Sequence, residues 1–145
     1  MVFSKACEYG MRATLYVAQQ SLKGQRVSLK TIAKEIDGPE AFTAKILQQL
    51  TKKDLLTSSK GPTGGFTMEN HRIKEIKLLE IVKAIDGTKV FTQCGLGLKQ
   101  CSEAFPCPVH NKFKIIRDDL HKMLSTISVY ESVVGLEEKG LYLKR

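Results

Sequence analysis

Three cysteines and a histidine crowd one stretch of the chain, CGLGLKQCSEAFPCPVH, as Cys94, Cys101, Cys107 and His110. Six, five and two residues separate them in turn. Thiolates and imidazole are the ligands of iron–sulfur centres and also of four-coordinate zinc. In a cluster, one neutral imidazole in place of a thiolate lowers the negative charge around the iron and raises its reduction potential. Backbone N–H groups near Gly95 and Gly97 would donate to the sulfurs and tune it further. Zinc is the main rival, and the spacing is not far from that of the CCCH fingers that bind RNA. A third reading is a metal-free thiol sensor in which two of the cysteines close a disulfide on oxidation. Cys107 and His110 would also suit a nucleophile and its base, but such a pair needs neither Cys94 nor Cys101. Nothing marks an oxyanion hole or a substrate pocket, so no enzyme and no small-molecule substrate are expected.

The rest of the chain must position that loop. Its 145 residues fit one domain, or a small domain with an appended arm, and 42% hydrophobic residues suffice for a core. No apolar run reaches membrane-spanning length, so no membrane partner is expected. The N-terminus has mixed charge and lacks a signal peptide's apolar block. These features predict a cytoplasmic protein, where clustered cysteines stay reduced and serve as ligands. Net charge is +8, and from Thr43 to Lys60 the charged residues are Lys45, Lys52, Lys53 and Lys60 against Asp54 alone. A solvated helix face would look so, and so would a surface facing phosphates.

Apolar residues at Cys7, Met11, Leu15, Ala18 and Leu22 predict an amphipathic first helix ended by Lys23-Gly24-Gln25. That face makes Cys7 inert packing. Ser28 caps a second helix carrying Leu29, Ile32, Ala33 and Ile36. Asp37-Gly38-Pro39 then places Gly past a helix end and Pro at the first position of the next. The third helix, Pro39 to Lys53, is expected to bury Phe42, Ile46, Leu47 and Leu50. Its other face carries Ala41, Ala44, Lys45, Gln48 and Lys52, small at the start and basic or polar beyond. Small residues admit close approach to base edges, while Lys and Gln reach phosphates and bases. Two short strands, in LLTSSK and FTM, flank GPTGG, which supplies Pro for a turn and two glycines for positive φ.

Helix, short turn, basic helix and tight hairpin make the pattern of a winged helix-turn-helix on double-stranded DNA. The fold class expected is mainly α with a small β-hairpin. KLLEIVKAIDG adds a short helix stopped by Gly87, and the Gly- and Pro-rich cysteine stretch reads as a loop. Beyond it Val109, Phe113, Ile116, Leu120, Met123, Ile127, Tyr130 and Val134 step by four and three. This heptad-like seam predicts one long helix that pairs with a second copy. Residues 1–88 would form the DNA-binding domain, 89–107 the cysteine-rich loop, and 108–145 the dimerisation helix and tail. His71 and His121 are expected on the surface.

The sequence resembles the Rrf2-type bacterial transcription regulators over nearly its whole length. SKACEYGMRAT resembles that family's first-helix signature, and KGPTGGF its wing motif of a basic residue, Gly-Pro-x-Gly-Gly and an aromatic. The cysteine loop resembles that of the iron–sulfur-bearing subset. The resemblance implies a repressor that senses iron–sulfur, redox or nitric oxide status, with a wing tip at Lys60, Gly61, Gly64 and Gly65 near the minor groove. Where many members carry arginine this chain has Lys60, which suits a narrow groove less well. Members of the iron–sulfur-biogenesis branch hold a [2Fe–2S] cluster through three cysteines and a histidine. Their first gap is one residue shorter than the one between Cys94 and Cys101. The nitric-oxide-sensing branch uses three cysteines and an acidic residue from the partner's first helix on a [4Fe–4S] cluster, and Glu8 occupies that position. His110 and Glu8 thus compete as fourth ligand, with His110 favoured because the Cys-x-x-His pair is present as a unit. With the resemblance, iron–sulfur ranks first, zinc second and bare thiols third.

Overall fold

The computed structural model describes residues 2–145. Helix α1 spans Lys5–Leu22, and the Ser4 side chain accepts from the Cys7 N–H as its N-cap. Gly24, at φ +73°, follows Lys23 at the end of the helix, where the sequence placed the stop. Helix α2, Leu29–Glu35, begins at Ser28, which accepts from the Thr31 N–H. Arg12 of α1 stacks on the Tyr9 ring and donates to the Ile36 carbonyl, closing the end of α2.

The turn into α3, Glu40–Lys52, differs in detail from expectation. Asp37, not Gly38, takes the left-handed conformation, at φ 54°. Gly38 matters for space instead, since an added Cβ would lie 3.0 Å from Thr43 Oγ1 and 3.3 Å from the Tyr9 ring. Pro39 is the N-cap rather than the first helical residue. Thr43, Ile46, Leu47 and Leu50 are buried, and full burial of each Ile or Leu stabilises by roughly 1.5–3 kcal/mol. Phe42 is only half-buried, edge-on to Tyr9 at 5.7 Å.

Strands β1, Thr57–Ser59, and β2, Gly65–Thr67, pair antiparallel with Ser58 opposite Phe66. Val27 adds a bridge to Phe66, which ties the hairpin to the segment before α2. Two glycines of the turn take positive φ as expected, Gly61 (97°) and Gly65 (144°). Gly64 is required for space, because a Cβ there would sit 2.3 Å from the Ser59 carbonyl oxygen.

Two short helices escaped the sequence reading, α4 (Asn70–Glu75) and α6 (Lys89–Thr92). Between them lies α5, Leu78–Asp86, stopped by Gly87 as expected. The long C-terminal helix is the principal correction. It is two helices, α7 (His110–Thr126) and α8 (Val129–Glu138), separated at Ile127, whose ψ of 119° is extended. Ser128 starts α8 by accepting from the Glu131 N–H. Val129 and Val133 join the core of Val17, Ile32, Leu47, Leu50 and Ile73, so α8 folds back across α1 and α4. The eight-residue seam therefore does not run on one helix, and Tyr130 and Val134 lie beyond its break. Mainly helical with a two-stranded hairpin, the architecture is the winged helix-turn-helix expected.

Candidate cluster-binding loop and nucleic-acid interface

The cysteine loop lies against the first two turns of α7. His110, Phe113, Lys114 and Arg117 are spaced three, four and seven residues from the first, which puts them on one helix face. Each meets the loop. His110 is buried, with Nδ1 3.4 Å from the Cys101 sulfur. The Phe113 ring occupies the space that a Cβ on Gly95 would enter at 2.7 Å. Lys114 pairs with Glu103, and the ammonium holds that carboxyl below its usual range. Arg117 donates to the Cys101 sulfur at 3.3 Å and to the Gln93 carbonyl.

Cys94 is buried at the start of the loop. Its thiol is pushed down from the ordinary value, first by the N–H of Leu96, which reaches the sulfur at 3.4 Å, and then by the N–H of Leu98. Cys107 lies near the same sulfur and also lowers that thiol. N–H groups do converge on a cysteine sulfur here, as expected, with Gly97 among those that lower the thiol, at φ 74°. The loop thus presents two pairs, Cys94 with Cys107 and Cys101 with His110. Among the described residues no three Cys, His, Asp or Glu side chains converge as they would around a single metal ion. Two ligands per iron is what a di-iron cluster requires, whereas zinc draws all four donors to one centre. In its donor types this set fits an iron–sulfur cluster.

Glu8 lies in the first turn of α1 and pairs with Lys5 at 3.1 Å. Cys7 is fully buried, its thiol pushed up to about 12 by burial and then by the charge of Asp86. His71 and His121 are exposed. Phe113, expected in the seam, faces the loop instead. Of the other seam residues Ile116 and Met123 are exposed at 62% and 45%, while Leu120 and Ile127 are half-buried. The exposed apolar stripe is thus shorter than the seam and includes Ile115.

On α3 the residues Ala41, Lys45, Gln48 and Lys52 are exposed and Ala44 is half-buried, so that face stands free. Lys60 and Gly61 are exposed at the hairpin tip, with Gly64 and Gly65 half-buried behind them. Arg26 was not anticipated. It donates to the Thr63 carbonyl at 3.0 Å and sets a second cation beside the tip. Arg117 and Lys114 were also missed, although their four- and seven-residue spacing from His110 was legible.

The family model described as "Rrf2: Iron-dependent Transcriptional regulator" matches residues 3–134. A putative HTH-type transcriptional regulator of Aquifex aeolicus is 28% identical over 144 residues, covering 98% of this chain and 97% of its own. The HTH-type transcriptional regulator IscR of Photorhabdus laumondii is 29% identical over 129 residues, covering 89% of this chain and 77% of its own. A solved structure of CymR, the global cysteine regulator of B. subtilis, superposes with a TM-score of 0.73 at 18% identity. It covers 91% of this chain and 95% of that one, a likeness of fold.

Proposed function

The chain belongs to the Rrf2 family of transcriptional regulators, and from that premise we propose that it works as a homodimer reading iron–sulfur, redox or nitric oxide status through a [2Fe–2S] cluster on Cys94, Cys101, Cys107 and His110. Transcriptional regulators of this family bind DNA and are not enzymes. The observation that carries the sensing function is the grouping of donors: His110 Nδ1 lies 3.4 Å from the Cys101 sulfur, while Cys107 lies near Cys94 and lowers its thiol. The face of α3 with Lys45 and Gln48 enters the major groove, and Lys60 with Arg26 meets the backbone or minor groove. The stripe of Ile116 and Met123 pairs two copies, each presenting one recognition helix. Residues 1–88 carry the DNA-reading helix and wing, 89–107 form the sensing loop, and 108–145 supply the dimer helix α7 and then α8, which packs back on α1 and α4. The location is the cytoplasm and the default mode is repression.

When bound, the cluster supplies a group that oxidants and nitric oxide alter. The chain's own residues supply the coupling. His110, Phe113, Lys114 and Arg117 hold the loop on α7, so a change in the loop's shape bears on the helix that pairs the two copies. Because two recognition helices must match two half-sites, a small rotation between them costs specific affinity.

Anaerobic purification followed by a visible spectrum, with iron, sulfide and zinc analysis on one sample, tests this. Sulfur-to-iron charge-transfer bands with matching iron and sulfide are expected, and they are lost in Cys101→Ala. A colourless wild type with one zinc per chain would make the loop structural. The Cys94–Cys107 contact favours a second reading, a thiol switch, which would show instead as a metal-free protein whose DNA binding follows oxidation.

A further inference from the structure

Arg117 is more than nine-tenths buried, the only cation among the described residues of which this is true. Burying a guanidinium is costly unless an opposite charge and hydrogen bonds compensate. No carboxylate among the described residues forms an ion pair with it. Its partners are the Gln93 carbonyl, the Cys101 sulfur at 3.3 Å and the Phe113 ring at 5.7 Å, and its Nε has no partner. Of these only the sulfur can carry a full negative charge. A conserved-volume apolar side chain would fill the same space on α7 without that cost, so packing alone does not account for the charge.

We propose that Arg117 is the built-in counter-cation of the sensing loop, a positioning residue that hydrogen-bonds the Cys101 ligand sulfur and sets the reduction potential of the group the loop holds. This rests on the cluster reading above. A cluster held by three thiolates and a neutral imidazole is anionic and becomes more so on reduction. A buried cation touching one ligand sulfur favours the reduced form, because little solvent intervenes to screen it. Arg117 also spans the loop, from Gln93 just before the first ligand to Cys101, the second. The same side chain therefore fixes loop geometry and cluster charge. Its effect on geometry persists without the cluster.

The test uses wild type, Arg117→Gln and Arg117→Lys, each reconstituted anaerobically with iron and sulfide. Midpoint potentials are read by spectroelectrochemical titration, and hydrogen exchange over residues 93–101 is read in the metal-free proteins. Arg117→Gln should disfavour the reduced cluster about tenfold, about 59 mV for a one-electron couple. Arg117→Lys, which keeps the charge but loses the fork, should recover part of that shift. Both variants should exchange faster than wild type over residues 93–101 without metal. A merely structural arginine would alter exchange and leave the potential of Arg117→Gln at the wild-type value, which would overturn the proposal while the cluster stands. Faster exchange with a wild type that takes up no iron and sulfide would instead remove the cluster reading, and the potential-setting role with it.

Discussion

Lys77 and Ser128 face each other in an isolated antiparallel bridge. The Leu78 N–H donates to the Ile127 carbonyl at 3.0 Å, and the Val129 N–H to the Ile76 carbonyl at 2.9 Å. The link between α4 and α5 is thereby stitched to the link between α7 and α8. These bonds require extended backbone at Ile127, and that is what stops α7. Ser128 is buried and its hydroxyl accepts from the Glu131 N–H at 3.0 Å. Ser128→Ala should destabilise the fold by about 1 kcal/mol through the lost cap. The melting temperature should fall by roughly 2–4 °C. Calorimetry at constant protein concentration checks this, and an unchanged transition would mean that the bridge alone holds α8.

Gly65 combines a φ of 144° with a close approach, since a Cβ would lie 2.5 Å from the Val27 carbonyl oxygen. The Phe66 N–H donates to that oxygen at 2.7 Å, so the carbonyl is not free to move aside. Gly65→Ala should cost about 1–3 kcal/mol and displace the wing. Weaker DNA binding with the dimer intact is the expected result, read by fluorescence anisotropy and sedimentation on one preparation.

Lys45 stands on the free face of α3 with Gln48 and Lys52. Lys45→Ala should weaken DNA binding at every sequence tested and reduce the slope of log affinity against log salt by about one. A slope equal to that of wild type would place Lys45 outside the phosphate contacts.

The helix-turn-helix was legible because each boundary is set locally: Ser4 and Ser28 cap, Gly24 and Gly87 stop, and the apolar period of α1 and α3 is sharp. The break at Ile127 was not. The step from Met123 to Ile127 to Val134 keeps helical period, while the bonds that end the helix come from Ile76 and Leu78, some fifty residues away. The four donors were visible as residue types, and their grouping into pairs was not, because it depends on how the loop lies across α7. Arg117 shows the limit most clearly. In sequence it is one more basic residue of a basic chain, and only its burial makes it exceptional.

Ile116 exposes 62% of its surface on α7, with Ile115 and Met123 also exposed nearby. Apolar side chains grouped in this way gain by association, at roughly 25 cal/mol per Å² removed from water. Ile116→Lys should shift the protein toward monomer and, by separating the two recognition helices, reduce affinity for a two-fold site more than for a half-site. Sedimentation equilibrium and paired binding titrations measure the two effects. A dimer of unchanged stability would move the interface off α7.

Cys7 gives the chain an alkaline liability. Its thiol, ordinarily near 9.0, is pushed up to about 12 in the fold, first by burial and then by the charge of Asp86. Between those values the unfolded chain has released the proton and the folded chain still holds it. Unfolding therefore releases a proton, and stability falls as pH rises through that window, by at most about 1.4 kcal/mol per pH unit. Below pH 9 this thiol adds no slope. Denaturant midpoints at pH 8, 9, 10 and 10.5 should fall more steeply for wild type than for Cys7→Ala above pH 9, and run parallel below it. Parallel curves throughout would mean that the thiol ionises in the folded protein, and that Asp86 and the surrounding core do not hold it neutral.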